Sequence, residues 1–168
     1  MSFVRLHCVR GAGLTSDLIG YFGAGVYSHT DIVLPNGDLL GARADVIKGR
    51  DGNPIPSGVR VRPQNYEMWT RRTLFELKVT PQQHRAFYDY AHSQIGKPYD
   101  TDGIRRFIFN QERDWRDPAS WWCSEFGVYC GEVAKVIPPI PLSITHITPG
   151  DCALIYASAG ATVTEIKA

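Results

Sequence analysis

Residues 27–45 of this 168-residue chain read YSHTDIVLPNGDLLGARAD and carry its clearest structural signal. Two apolar runs flank the turn Pro35-Asn36-Gly37-Asp38. Asn-Gly between apolar runs is the preferred two-residue hairpin loop, because both central residues need positive φ. The sequence therefore predicts an antiparallel hairpin. In a regular two-residue hairpin, Ala44 faces His29 across the ladder.

The periodicity of apolar residues predicts the elements on either side of this hairpin. Strands are expected at 3–9, 59–62, 73–79 and 162–166, and helices at 15–22, 81–95, 103–110, 123–137 and 148–156. Residues 48–58 have the composition of a surface loop. Strands and helices are segregated along the chain rather than alternating. This order favours an α+β fold with a largely antiparallel sheet, in a single domain over residues 1–168.

The composition limits the class of protein. Hydrophobic residues make up 43% of the chain and charged residues 21%, which excludes a disordered or low-complexity segment. Eighteen basic and seventeen acidic side chains nearly cancel. With a net charge of only +1 there is no long-range field to gather DNA, RNA or anionic lipid, so we expect no nucleic-acid partner.

The four cysteines, at positions 8, 123, 130 and 152, form no C-x-x-C pair. Their number and spacing predict neither a disulfide scaffold nor a zinc site, so we expect no metal and no cofactor. Polar or charged residues interrupt the apolar runs of the N-terminus, which is unlike a signal peptide. Nor is there an apolar segment long enough for an integral membrane span. We therefore expect a cytoplasmic protein as synthesised.

Cys123 is the first residue with a chemical signature. It follows Trp121-Trp122 and precedes Ser124-Glu125, at the predicted start of the long helix. The unpaired N–H groups and the positive dipole end of a helix start favour a thiolate. The same N–H groups can receive an oxyanion. This position is suited to a thiol nucleophile.

His29 is the second such residue. Asp31 lies two positions further along the predicted strand, so it shares the face of His29 and can orient the imidazole or raise its pKa. Asp45 points to the other side of a regular hairpin and needs a bulge to reach the same ring. A Cys–His pair with a polar third member is the arrangement that activates a thiol.

Structural roles for the same residues stay open. A cysteine on an apolar helix face is usually a small buried hydrophobe, and we assign Cys8, Cys130 and Cys152 to that class. Cys123 alone fits a structural role as well as a catalytic one. A zinc site built from His29, Asp31 and Cys123 lacks the local ligand spacing that such sites show.

Three short motifs carry a family resemblance. In chain order they are SHTDIVL at 28–34, Gly96-Lys97-Pro98-Tyr99-Asp100, and Trp122-Cys123-Ser124-Glu125-Phe126. Together they resemble the circularly permuted NlpC-type cysteine peptidases of the papain-like superfamily, in which the histidine precedes the cysteine. The relatives include bacterial cell-wall amidase-like proteins and the lecithin retinol acyltransferase group. The hairpin also looks like that of proteins carried by tailed phages.

The resemblance implies a papain-like α+β fold in which a helix that begins with the cysteine packs on an antiparallel sheet. It implies a cysteine hydrolase acting on amide bonds, with Cys123 as nucleophile and His29 as base. Members usually place a third polar residue on the strand after the histidine strand, where this chain has Ala44. Asp31 is our first choice for that role, and Asp45 is the alternative.

The same resemblance suggests three residues for the substrate or oxyanion side of the site: Tyr99, Ser124 and Trp122. The substrate it implies is a peptide amide of peptidoglycan, which phage or secretion delivery would bring within reach. One alternative is a thiol acyltransferase or lipid-ester hydrolase of the retinol-acyltransferase type. The other is a binding module that keeps the fold without turnover.

Overall fold

The structure is a computed structural model that describes residues 1–11, 26–102, 117–141 and 146–166. The strands are β1 Ser2–Gly11, β2 His29–Val33, β3 Leu39–Arg43, β4 Ile47–Lys48, β5 Pro54–Ile55, β6 Gly58–Arg62, β7 Trp69–Val79 and β8 Thr162–Glu165. The helices are α1 Pro81–Ser93, α2 Cys123–Val133 and α3 Pro149–Ser158. The helices predicted at 15–22 and 103–110 lie outside the described residues.

Six strands form one sheet in the order β6-β3-β2-β1-β7-β8, and each pairing between them is antiparallel. The predicted α+β class with a largely antiparallel sheet is confirmed. Strands β4 and β5 form a separate two-stranded ribbon. The ribbon and its turn cover most of the segment predicted as loop at 48–58. The loop prediction therefore missed two short strands within this segment.

The β2–β3 hairpin has a three-residue loop rather than the predicted two-residue loop. The Leu34 N–H donates to the Asp38 carbonyl at 2.8 Å, and the Gly37 N–H donates to the Leu34 carbonyl at 2.9 Å. Gly37 has a φ of 87°, in the left-handed region that this wider loop requires of its last residue. Asn-Gly therefore marks the turn correctly but does not form a type I′ turn.

The wider loop shifts the register by one residue. Ile32 pairs with Leu40 across the hairpin. Continued to the start of β2, this register places Arg43, not Ala44, opposite His29. The expectation about Ala44 was wrong, because a change of one residue in loop length moves every cross-strand partner by one.

Two helices begin as the sequence predicts, at side-chain caps. At α1, the Thr80 hydroxyl accepts from the Gln83 N–H, and the Gln83 side chain accepts from the Thr80 N–H. At α3, Thr148 and Asp151 form the same reciprocal pair. Each pair satisfies two of the N–H groups that a helix start leaves without partners.

Helix α2 begins at Cys123, as predicted. It ends at Val133 with Ala134 as its C-cap, before the predicted end at residue 137. Lys135 adopts a φ of 54°, which terminates the helical path ahead of the Pro138-Pro139 pair.

Helix α2 lies directly on the sheet at Gly127. A Cβ at that position would lie 3.0 Å from Leu6 and 3.7 Å from both Thr30 and Cys152. A glycine here allows the helix to approach β1 and β2 closely, and this contact sets the height of the Cys123 end above the sheet.

Among the described residues, no helix has the length and apolar character needed to span a membrane.

Candidate active site

His29 is the first residue of β2, and the structure brings it together with Asp31. Its Nε2 lies 3.0 Å from Oδ1 of Asp31, and both side chains are buried. The N–H at Nε2 does not point along this contact, so the pair is an ion pair rather than an aligned hydrogen bond. The common strand face predicted for these two residues explains their proximity.

The structure also brings Cys123 to His29, from a helix distant in sequence. The Cys123 side chain lies close enough to the His29 imidazole to raise the pKa of that imidazole. Cys123 is the first residue of α2, and the residue before it, Trp122, is the N-cap in an extended conformation. An indole has no oxygen acceptor, so Trp122 differs from the threonines that cap α1 and α3.

These neighbours set the charge of His29. Burial alone would lower the pKa of His29, but the Asp31 carboxylate and then Cys123 outweigh burial and raise it to about 9. At neutral pH the imidazole is therefore a buried cation that touches the Asp31 carboxylate and has Cys123 as a near neighbour.

Three residues from other parts of the chain support Asp31. The Tyr66 hydroxyl donates to Asp31 Oδ2 at 2.8 Å. Burial alone would raise the pKa of the Asp31 carboxyl, but His29, Arg62 and Tyr66 hold it below its usual value. A Cβ at Gly41 would lie 1.9 Å from Asp31 Oδ1, so this glycine leaves the space that the carboxylate occupies.

Backbone contacts hold Tyr99 next to Trp121, two residues before Cys123. Tyr99 forms a parallel bridge with Trp121, and the Asp100 N–H donates to the Trp121 carbonyl at 3.0 Å. The GKPYD motif is thus joined to the residues just before Cys123. Burial, and then the proximity of Cys123, raise the pKa of Tyr99 well above its usual value. Its phenol is protonated at neutral pH and can donate a hydrogen bond.

The structure places the other suggested residues in different contacts. The Asp45 carboxylate pairs with Arg43, at 2.6 Å from Nε and 2.7 Å from Nη2, rather than with His29. The Ser124 hydroxyl donates to the Ile147 carbonyl at 2.6 Å and so ties α2 to the segment before α3. Trp122 is 1% exposed, at the N-cap of α2.

Trp69 and Tyr66 belong to the site although the sequence analysis missed them. The Trp69 ring is stacked on the His29 ring, with 6.2 Å between centroids and an interplanar angle of 8°. Residues 63–68 form an aperiodic connection, in which no pattern indicates a contact with Asp31. Gly41 did carry a signal, because a glycine inside a strand pattern often marks a close approach.

The other three cysteines are buried, as their assignment to the core predicts. Burial raises the pKa of the Cys130 thiol well above its usual value. A contact with Cys8, followed by burial, does the same for Cys152. Cys8 in turn lies 3.7 Å from the Thr30 hydroxyl, between Sγ and Oγ1. These thiols face apolar or neutral groups, whereas Cys123 faces a cationic imidazole.

Comparison with known proteins supports the fold only. No protein-family model matches the chain, and no curated protein matches it. A crystal structure of metalloprotein yiiX from Escherichia coli O157:H7, described as DUF1105, superposes with a TM-score of 0.63. The match covers 99% of this chain and 96% of that one, at 16% sequence identity. The two chains share a fold along almost their whole length.

Proposed function

We propose that this protein is a cysteine hydrolase of the permuted NlpC, papain-like type that cleaves amide bonds. One observation carries the proposal: the buried imidazole of His29 lies 3.0 Å from the Asp31 carboxylate and close enough to Cys123 for that residue to raise its pKa. A nucleophile beside a base that a third group orients is the geometry of thiol catalysis.

The first half of the reaction forms an acyl-enzyme. His29 holds the Cys123 proton as imidazolium while the thiolate sulfur attacks the substrate carbonyl carbon. The carbonyl oxygen becomes an oxyanion, which the backbone N–H at the start of α2 and the Tyr99 phenol are suited to stabilise. The imidazolium then gives its proton to the leaving amine as the C–N bond breaks, which leaves a thioester on Cys123.

The second half consumes water. Neutral His29 takes a proton from a water molecule, whose oxygen attacks the thioester carbonyl. The carboxylic acid leaves, and the proton returns to the sulfur–imidazole pair. Asp31 stabilises the imidazolium formed in both halves, and the Trp69 ring limits the rotation of the imidazole.

The substrate we propose is a peptide amide of peptidoglycan, reached after phage or secretion delivery. It rests on the resemblance of the three sequence motifs. The acyltransferase alternative uses the same thiol chemistry and is separated from hydrolysis by the test below. The binding-module alternative keeps the same fold without turnover, and the ion pair between His29 and Asp31 favours the hydrolase over it.

The yiiX protein is described as a metalloprotein, which raises the question of whether this chain also binds a metal ion. Across the described ranges, no group of three or more His, Cys, Asp or Glu side chains is placed to hold a metal ion.

The test is to incubate the purified chain with peptidoglycan sacculi and to measure newly released amino groups by mass spectrometry. The matched control is Cys123→Ala, and short-chain acyl esters serve as the competing substrate. Release of amines that Cys123→Ala abolishes supports the proposal. Turnover of esters alone would favour the acyltransferase alternative, and no turnover of either substrate would favour the binding module.

A further inference from the structure

We infer that Arg43 is a positioning residue of this site, which fixes Asp31 through Tyr66 and the ring of His29 through Trp69. The inference rests on the proposed function, since it concerns the same thiol–imidazole pair. Arg43 is the last residue of β3, in the register position opposite His29.

The first connection runs through a hydroxyl. Arg43 Nη1 donates to the Tyr66 oxygen at 3.1 Å, and the Tyr66 hydroxyl donates to Asp31 Oδ2 at 2.8 Å. A guanidinium has no acceptor, and a phenol has one proton. Arg43 therefore directs that proton to Asp31, which leaves Oδ1 of the carboxylate for His29.

The second connection runs through a ring. The Arg43 guanidinium carbon lies 5.9 Å from the centroid of Trp69 and 5.0 Å from that of Tyr66. The two rings meet edge to face at 5.2 Å. Trp69 is in turn stacked on His29. One guanidinium thus holds both aromatic rings that contact the base and its carboxylate.

Arg43 is itself rigidly held. Its side chain is 13% exposed, pairs with both carboxylate oxygens of Asp45, and donates to Glu67 through Nη1. A forked guanidinium can make these contacts together, whereas a lysine ammonium cannot. Asp45 therefore acts on the site through Arg43 and not by contact with His29.

Charged and titratable groups face His29 from several elements. They are Asp31 on the same strand, Cys123 from α2, His7 from β1 and Asp45 just after β3. Asp31 is the group that raises the pKa of His29 most. Loss of Arg43 loosens the hold on Asp31, so the affinity of His29 for its proton should fall.

The experiment compares Arg43→Gln, Arg43→Lys, Tyr66→Phe and the double variant Arg43→Gln/Tyr66→Phe in the full chain. The probe is iodoacetamide at pH 6.5, with peptide mapping to follow Cys123 alone. A second readout is the NMR titration of the His29 imidazole. Neither readout needs the natural substrate.

We expect Arg43→Gln to slow alkylation of Cys123 about tenfold and Arg43→Lys to restore part of that loss. The double variant should be no slower than Arg43→Gln alone, because both changes break the same connection. The His29 midpoint should fall below its parental value near 9, because Asp31 is held less closely against the imidazole. Matched controls are Arg5→Gln, which breaks a 2.7 Å ion pair with Glu76, and Tyr88→Phe, which removes a hydroxyl that donates to the Val33 carbonyl. Both should stay within twofold of the parent chain.

Three results would overturn the inference: a parental rate in Arg43→Gln, fully additive losses in the double variant, or a His29 midpoint in Arg43→Gln that stays at or above the parental value. Should Arg43→Gln fail to fold, Tyr66→Phe carries the same expectations. Failure of the proposed function would give a different experimental result. In that case the parent chain itself would show Cys123 no more reactive than Cys8, and His29 would titrate as an ordinary histidine.

Discussion

Helices α2 and α3 begin in opposite ways. At α3, the Asp151 N–H donates to the Thr148 hydroxyl at 3.1 Å, and the Thr148 N–H donates to the Asp151 carboxylate at 2.9 Å. At α2, the N-cap is Trp122, which has no side-chain oxygen, and the next residue is Cys123. One helix start is stabilised by its own side chains, and the other begins at a cysteine without a side-chain cap.

The cysteines of the two helices differ in the same way. Cys152 in α3 contacts another thiol, Cys8, and its pKa is raised by that contact and by burial. Cys123 in α2 contacts a cationic imidazole. Burial is common to both, so the difference in chemistry comes from the partner that each helix start meets.

The largest expected effect separates these two cysteines. Cys123→Ala should reduce amide hydrolysis by a factor of about 10³ or more, because the nucleophile is lost. Cys152→Ala should keep most activity and cost about 1 kcal/mol of stability through the small cavity it creates. Rates on sacculi and thermal melts measure the two effects. Equal losses of activity in both variants would contradict the distinction between the helix starts.

The second prediction concerns Asp31, the carboxylate paired with His29. Asp31→Asn keeps the shape of the side chain and removes the charge that stabilises the imidazolium, so hydrolysis should fall by a factor of order 10². Asp45→Asn should reduce it by less than about fivefold, because Glu67 and Tyr66 still hold Arg43. A collapse of activity in Asp45→Asn alone would reverse the assignment of the third member.

The third prediction tests the space beside Asp31. Gly41→Ala places a methyl group where Asp31 Oδ1 lies, so the carboxylate must move and alkylation of Cys123 should slow by about tenfold. Gly52→Ala is the control, because its φ of 80° makes alanine strained while no atom lies within 4 Å. That control should lose stability only. Parental alkylation in Gly41→Ala would show that Asp31 does not depend on this space.

The fourth prediction concerns pH. The raised pKa of His29 means that its pairing with Asp31 contributes stability fully below pH 6.5 and loses it as pH rises to about 9. The free energy of unfolding of the parent chain should therefore fall over this range by about 3 kcal/mol or less, and by little in His29→Gln. In the same NMR titration, His7 should be neutral, because burial and then Arg72 lower its pKa to about 4. A His29 midpoint below that of His7 would contradict both assignments.

The smallest effect lies at the α3 start. Thr148→Ala removes one member of the cap and should cost about 1 kcal/mol of stability. Alkylation of Cys123 should not change, since the cap has no contact with His29 among the described residues. A change in alkylation rate would show that the two helix starts are coupled, with the Ser124–Ile147 hydrogen bond as the nearest route.

Local sequence predicted the parts of the site that depend on local geometry. A strand places every second residue on one face, so His29 and Asp31 were expected together and are found 3.0 Å apart. A cysteine at the onset of an apolar helical period was expected at a helix start, and α2 begins there. The assignment of these residues to catalysis stays a prediction.

Short-range patterns were sufficient to locate the changes of chain direction, because capping residues and Asn-Gly turns act on their own neighbours. The hairpin register depended on packing with distant segments, since two-residue and three-residue loops both accept Asn-Gly and differ in which packing they allow. The same long-range packing set which side chains surround Asp31. Tyr66, Trp69 and Arg43 meet there because a sheet brings distant strands side by side, and no local pattern encodes that meeting.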